Sequence, residues 1–266
     1  TQEVLLKKCQ LCCRKRELCN SHAIPDSVFR SLFKKGSGQA VELSSKESTP
    51  NRMSQDSWAT DLLCSSCEEK LNNNYDQYGL NLLRGKIGEV QKDSEGVHFS
   101  NIDTLKFKSF ILSVFWRGAI SEHENYRTIE VSPYFLELIR STLIRSSNVS
   151  KGSCTVIIQR LTDTKGVGFT ESNLRELVVS PFPRTYEVQG KLYSSISMIF
   201  LGFNFEIFLN PINNDQKITK FALGSNKENY TAPFVEIMDI SEVLNLFACG
   251  LRKEKQGLSN VSGREC

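Results

Sequence analysis

Cys9-Gln10-Leu11-Cys12 and, further on, Cys64-Ser65-Ser66-Cys67-Glu68 are the stretches whose reading decides the fold, with Ser21-His22-Ala23-Ile24-Pro25 between them. A C-x-x-C turn points two thiolates to one side, and two such turns supply the four soft ligands of a tetrahedral structural zinc. Cys9, Cys12, Cys64 and Cys67 are therefore assigned as structural zinc ligands. Cys13 would replace Cys12 only by widening the spacing. Neither pair has the βαβ surroundings of a thioredoxin-like redox motif, so metal binding is favoured over thiol exchange.

Outward from the knuckles, Pro25 stops a short strand. Asp26 is an N-cap candidate, and Phe29, Leu32 and Phe33 recur at helical spacing, which predicts a helix over 27–35. Residues 36–56 are rich in Gly, Ser, Pro and charge, and are read as a mobile loop. Order returns at Trp58. Ser65 or Ser66 is expected to cap a helix running to Leu83, with Leu71, Tyr75, Tyr78 and Leu82 on its apolar face. Knuckle, hairpin, helix, loop, knuckle and helix is the order of a treble-clef zinc module, assigned to residues 1–84.

A polar, glycine-containing stretch at 85–96 is read as a boundary. Residues 97–252 are predicted to form a larger α+β domain of unknown role, so the fold class is α+β. Helices are expected over 101–120 and from the Ser132-Pro133 cap, which precedes Phe135, Leu136, Ile139, Leu143 and Ile144. Strands are predicted at 154–160, 174–179, 194–201 and 204–209, with a hairpin turn at Gly202-Phe203. Ser241 is expected to cap a final helix ended by Gly250, and 253–266 reads as a solvated tail.

With 39% hydrophobic and 24% charged residues, the 266-residue chain has the composition of a packed globular protein, which excludes wholesale disorder. A net charge of +3 does not by itself mark a nucleic-acid binder. Its distribution is more telling, because Lys7, Lys8, Arg14, Lys15, Arg16, Arg30, Lys34 and Lys35 crowd the segment that holds the first knuckle. Arg14, Lys15, Arg16, Arg30, Lys34 and Lys35 are candidate phosphate contacts. Nine cysteines without a signal-peptide pattern suit metal ligation in a reducing compartment. No apolar run reaches the roughly 20 residues of a membrane span. A soluble, cytoplasmic protein is expected.

Together, Cys9-x-x-Cys12, Ser21-His22-x-Ile24-Pro25 and Leu63-Cys64-x-x-Cys67-Glu68 resemble the four-cysteine branch of the HNH (ββα-metal) endonucleases. A group of bacterial HNH-like proteins is more similar still, the likeness extending loosely to Phe115-Trp116-Arg117 and the helix around 134–143. The resemblance implies hydrolysis of DNA phosphodiesters, with His22 as general base and Glu68 as a ligand of a catalytic Mg2+ or Mn2+ distinct from the zinc. Ser21 stands where the family usually has Asp. The family's middle Asn has no clear counterpart near Ala59-Thr60-Asp61, so Asp61 and Asp76 join Ser21 as ligand candidates. The resemblance also implies DNA as partner, and a sensor protein such as an ATPase if the chain is the effector of a bacterial phage-defence system. The alternative is a catalytically inactive treble clef that binds nucleic acid or a protein. His98 and His123 lack metal-spaced partners and are expected at the surface, and Trp116-Arg117 reads as core packing plus a surface charge. Gly166-Val167-Gly168 is too short for a phosphate loop.

Overall fold

The structure, a computed structural model, describes residues 6–36, 38–147, 154–188, 190–209, 221–224 and 226–261. Strands β1 (Lys7–Lys8) and β2 (Lys15–Arg16) flank the first knuckle and pair antiparallel. Strand β3 (Cys19–His22) pairs antiparallel with β6 (Ala59–Leu63), with a bulge between Cys19 and Asn20. Helix α1 (Asp26–Lys35) and the hairpin β4 (Ala40–Glu42) and β5 (Arg52–Ser54) lie between those two strands. Helix α2 (Ser65–Leu71) begins at the second knuckle and passes through a π-helical turn, Asn72–Asp76, into α3 (Gln77–Leu83). This reproduces the expected order of knuckle, helix, knuckle and helix, and the fold as a whole is α+β.

The remaining strands are β7 (Glu89–Lys92), β8 (Gly96–Ser100), β9 (Thr155–Thr162), β10 (Val179–Val188), β11 (Lys191–Phe200), β12 (Phe203–Phe208) and β13 (Tyr230–Glu236). They form one sheet in the order β10-β11-β12-β9-β13-β8-β7, antiparallel except where β13 runs parallel to β9. Across one face lies α4 (Thr104–Ala119), capped by Asp103, whose carboxylate accepts from Leu105 N and Lys106 N. Its sequence is apolar almost all round because the helix is buried on all sides. The sheet lies on one side of it, and α3 and α5 (Pro133–Arg145) lie on the other. Burying each of Phe107, Phe110 and Phe115 contributes about 1.5–3 kcal/mol relative to exposure. Gly79 permits the close approach of α3, since a Cβ there would stand 2.1 Å from the Phe110 ring. The opposite face of the sheet is covered by α6 (Glu171–Glu176) and α7 (Ser241–Lys255), through Leu161, Val179 and Ile199 against Leu174, Ile240 and Val243.

The module and the sheet share one apolar core. It runs from Leu11, Ile24 and Phe29 through Leu71 and Leu82 to Phe107 and Phe110, and on to Ile158, Phe200 and Phe205. Several expectations are corrected. The strand expected at 174–179 is α6, because a capping box between Thr170 and Asn173 turns this stretch helical before β10 starts. The hairpin turn is Leu201-Gly202, both residues having positive φ (52° and 78°), as a two-residue I′ turn demands. The polar 85–96 stretch contains edge strand β7, and the 36–56 loop contains the β4–β5 hairpin. Helix α7 continues past Gly250. Lys253, assigned to the tail, is fully buried and donates to Ser44 O (2.6 Å) and Lys46 O (2.7 Å). Pro25, not Asp26, occupies the N-cap of α1, and Cys64 occupies that of α2. Among the described residues no helix is long and apolar enough to cross a membrane.

Candidate functional site

The ligand sulfurs of Cys9, Cys12, Cys64 and Cys67 all lie within 4.8 Å of one another, so the four cysteines can hold a metal ion such as zinc. Local geometry explains the convergence. Cys13 N donates to Cys9 O, closing the first turn with Cys13 in the left-handed region (φ 60°). Cys67 N and Glu68 N donate to Cys64 O, and Cys64 N donates to Cys9 Sγ at 3.3 Å. Burial alone would raise the Cys64 thiol, but hydrogen bonds from Ser66 and Cys67 bring it down to about 6. Burial raises Cys9 and Cys67. Four thiols this close cannot all ionise without a cation among them, so the donor set fits a metal.

His22 ends β3 on the strand pair, opposite Ala59. Its Nε2 lies 2.9 Å from Ser57 Oγ and 3.6 Å from Asp26 Oδ1, and its side chain is 19% exposed. Burial pushes the imidazole below its usual 6.5, while Asp26 and Glu68 pull it upward and Arg117 downward. Glu68 and Arg117 are therefore close enough for their charges to be felt at His22. Glu68 lies in the first turn of α2, and its Oε1 is shielded from water without a hydrogen-bond partner.

The other ligand candidates are committed elsewhere. Ser21 is 1% exposed, and its hydroxyl donates to Cys19 O (3.2 Å) and accepts from Leu63 N (3.1 Å), stapling the β3–β6 bulge. Asp61 pairs with Lys7 at 3.1 Å on the surface. Asp76, in the π-turn, is buried and receives both Arg117 Nη1 (2.9 Å) and Nη2 (2.7 Å). Arg117 is thus a buried ion-pair partner, not the surface charge expected from the sequence. Of the basic candidates, Lys15 and Arg16 pair in register with Lys8 and Lys7, so β1–β2 is an exposed cationic ladder beside Arg14. Arg30 is bonded to Asp26 at 2.7 Å, and Lys34 is exposed. Lys35 binds Glu176 of α6 at 2.5 Å, which ties α1 to the larger unit.

Sequence reasoning missed the residues that hold His22. Asp56 Oδ1 accepts from Trp58 N (2.8 Å), and its Oδ2 lies 3.0 Å from His123 Nε2. Trp58 has φ 58°, a left-handed conformation that costs a non-glycine residue about 1–3 kcal/mol. Its ring stacks on His123 (6.4 Å, 28°) and meets Phe29 and Tyr126 edge-on. The Tyr126 hydroxyl in turn accepts from Ile24 N, beside His22. His123, expected at the surface, is 13% exposed. No protein-family model matches the chain, and comparison with curated proteins and with solved structures returned no match.

Proposed function

We propose that the chain is a metal-dependent endonuclease of HNH-like design that hydrolyses phosphodiester bonds of DNA. The observation that carries this reading is Glu68 Oε1, a carboxylate oxygen removed from water with no donor, within electrostatic reach of His22. Burying such an oxygen alone is costly, and a hard cation is a fitting partner. Bound there, Mg2+ or Mn2+ would supply charge stabilisation to the phosphate and the leaving oxygen. Zinc held by the four cysteines has no open position and serves the scaffold.

His22 provides the proton transfer. With Nε2 directed to Ser57 and Asp26, Nδ1 is the nitrogen left to take a proton from an attacking water. Asp26, 3.6 Å away, steadies the imidazolium that results. The β1–β2 ladder offers sequence-independent contacts to the DNA backbone, weakened by salt. The reading carries with it a reducing, cytoplasmic setting and a sensor protein such as an ATPase in a phage-defence role, which co-purification from a bacterial host tests.

Nicking of supercoiled plasmid in Mg2+ or Mn2+ tests the activity. His22→Ala is expected to lower the rate by about 100-fold or more with zinc content and thermal midpoint unchanged. Equal nicking by wild type and variant removes the catalytic reading. Because burial lowers the imidazole, the rate should rise with pH only below 6.5 and be level above it. The commitment of Ser21 and Asp76 to structural bonds favours a second reading, a treble clef that binds nucleic acid without cutting it. Under it, salt-sensitive DNA binding survives His22→Ala and is lost in Cys64→Ser.

A further inference from the structure

We propose that a cleft over strands β9, β10 and β12 binds a small organic cation, an ammonium group on an aromatic or apolar body, with Glu206 as its counter-ion. The cleft lies on the sheet face turned away from α4, so its occupancy is independent of the nuclease reading. Along β12 the side chains alternate. Phe203, Phe205 and Ile207 join the core that holds α4, which turns Asn204, Glu206 and Phe208 to the other face. Helices α6 and α7 cover one end of that face through Leu161 and Ile199. At the other end Ile157, Tyr193 and Phe208 form a small separate cluster with Tyr186 and Val188, drawn from strands alone. There the surface hollows into a cleft of about 390 Å3, which is within the range of small-molecule sites.

The chemistry of the cleft is one-sided. Tyr186, Phe208, Phe221 and Phe234 border it together with Ile157 and Val188, and among the described residues that line it Glu206 alone is charged. Glu206 is 4% exposed. Ser195 Oγ donates to its Oε1 at 2.5 Å. Burial, and then the charge of Glu206, push the neighbouring Tyr186 hydroxyl above its usual value, so it too is a neutral partner. Arg184 stands 4.0 Å from Oε2, beyond hydrogen-bond reach, and is drawn equally toward Glu242 at 3.9 Å. A carboxylate taken out of water is stable when it is both hydrogen-bonded and paired, and here hydroxyls supply the bonds without the charge. A cation entering the cleft supplies it. The aromatic border favours the same ligand, because a cation over a ring face is attracted by the ring quadrupole. Arg184 shows that attraction, with its guanidinium 5.1 Å from the Tyr186 ring centre. Ser197, in register with Glu206 and so on the same face, adds a buried Oγ that has no partner among the described residues. An anion is repelled by Glu206, and a neutral ligand leaves its charge unpaired.

Isothermal titration of the full chain with tryptamine reads the site, with tryptophol and indoleacetate as neutral and anionic analogues of the same body. Saturable one-to-one binding of tryptamine is expected, with tryptophol at least about tenfold weaker and indoleacetate unbound. Glu206→Gln keeps the volume and an acceptor for Ser195, and is expected to weaken tryptamine about 10- to 100-fold. Arg184→Gln removes a competing cation and is expected to tighten it. Val188→Lys sets a cation at the half-buried border of the cleft without altering Glu206. It is expected to weaken tryptamine, and it decides the matter if Glu206→Gln does not fold. Absence of saturable tryptamine binding, equal affinity for tryptophol, or unchanged tryptamine affinity in folded Glu206→Gln overturns the proposal.

Discussion

Arg117 and Asp76 show what one residue pair contributes beneath the candidate site. Both side chains are nearly inaccessible, at 2% and 7%, and they are joined by two hydrogen bonds. Burial raises the Asp76 carboxyl although Arg117 pulls the other way, so the pair is a compromise between desolvation and attraction. Removing one partner leaves the other charge buried and alone. Arg117→Met is therefore expected to lower the unfolding free energy by about 3–5 kcal/mol in urea titration, and a loss below about 1 kcal/mol would show that water relieves Asp76. His22 works in the opposite sense with pH. Its folded-state pKa is lowered, so the fold binds fewer protons than the unfolded chain, and stability falls as pH drops from 6.5 through the folded value. A thermal midpoint that falls less across that interval in His22→Ala than in wild type is the expected outcome. At this scale the four-cysteine cluster was legible because its chemistry is written in short spacings. Ser57 and Asp56 were not. Their partners lie 35 and 67 residues away along the chain, and no local pattern records a contact of that range.

Elements were legible where a cap announced them. Ser132-Pro133 opens α5, and its hydroxyl accepts from Phe135 N as the sequence suggests. Helix α6 was misread because Leu174, Leu177, Val178 and Val179 look like a strand, whereas the reciprocal bonds of Thr170 and Asn173 decide the first turn. The β4–β5 hairpin had no apolar alternation to reveal it. It is placed from outside, by α7 and the residues that follow. Lys253 donates to the carbonyls of Ser44 and Lys46, Asn51 Nδ2 donates to Gly250 O, and Asn51 N donates to Leu258 O. Lys253→Met is expected to remove the charged donor that the carbonyls of Ser44 and Lys46 share, at a cost of about 1.5–3 kcal/mol. Trypsin cleavage within 36–56 should then be faster than in wild type, and unchanged cleavage would mean that the hairpin holds itself.

For the whole molecule, composition pointed to two units, and the chain folds them around one apolar core that extends from the knuckles to the sheet. That continuity was hidden because α4, apolar on every side, gives no sign of which of its faces meets the module and which meets the sheet. Stripping metal from the four-cysteine site with a strong chelator is accordingly expected to lower the melting temperature of the entire chain in one calorimetric transition. Two separated transitions would show that the sheet stands without the module. The wrapping of the 44–51 stretch by α7 also sets an order of events during synthesis. His22, the cysteines and Glu68 leave the ribosome before Ser241–Lys255, and the hairpin that leads into Asp56-Ser57-Trp58 gains its supports only after Ser241–Lys255 has been made. A nascent chain therefore holds His22 and the cysteines before the hairpin beside them is fixed, and this region matures only once Ser241–Lys255 has been made.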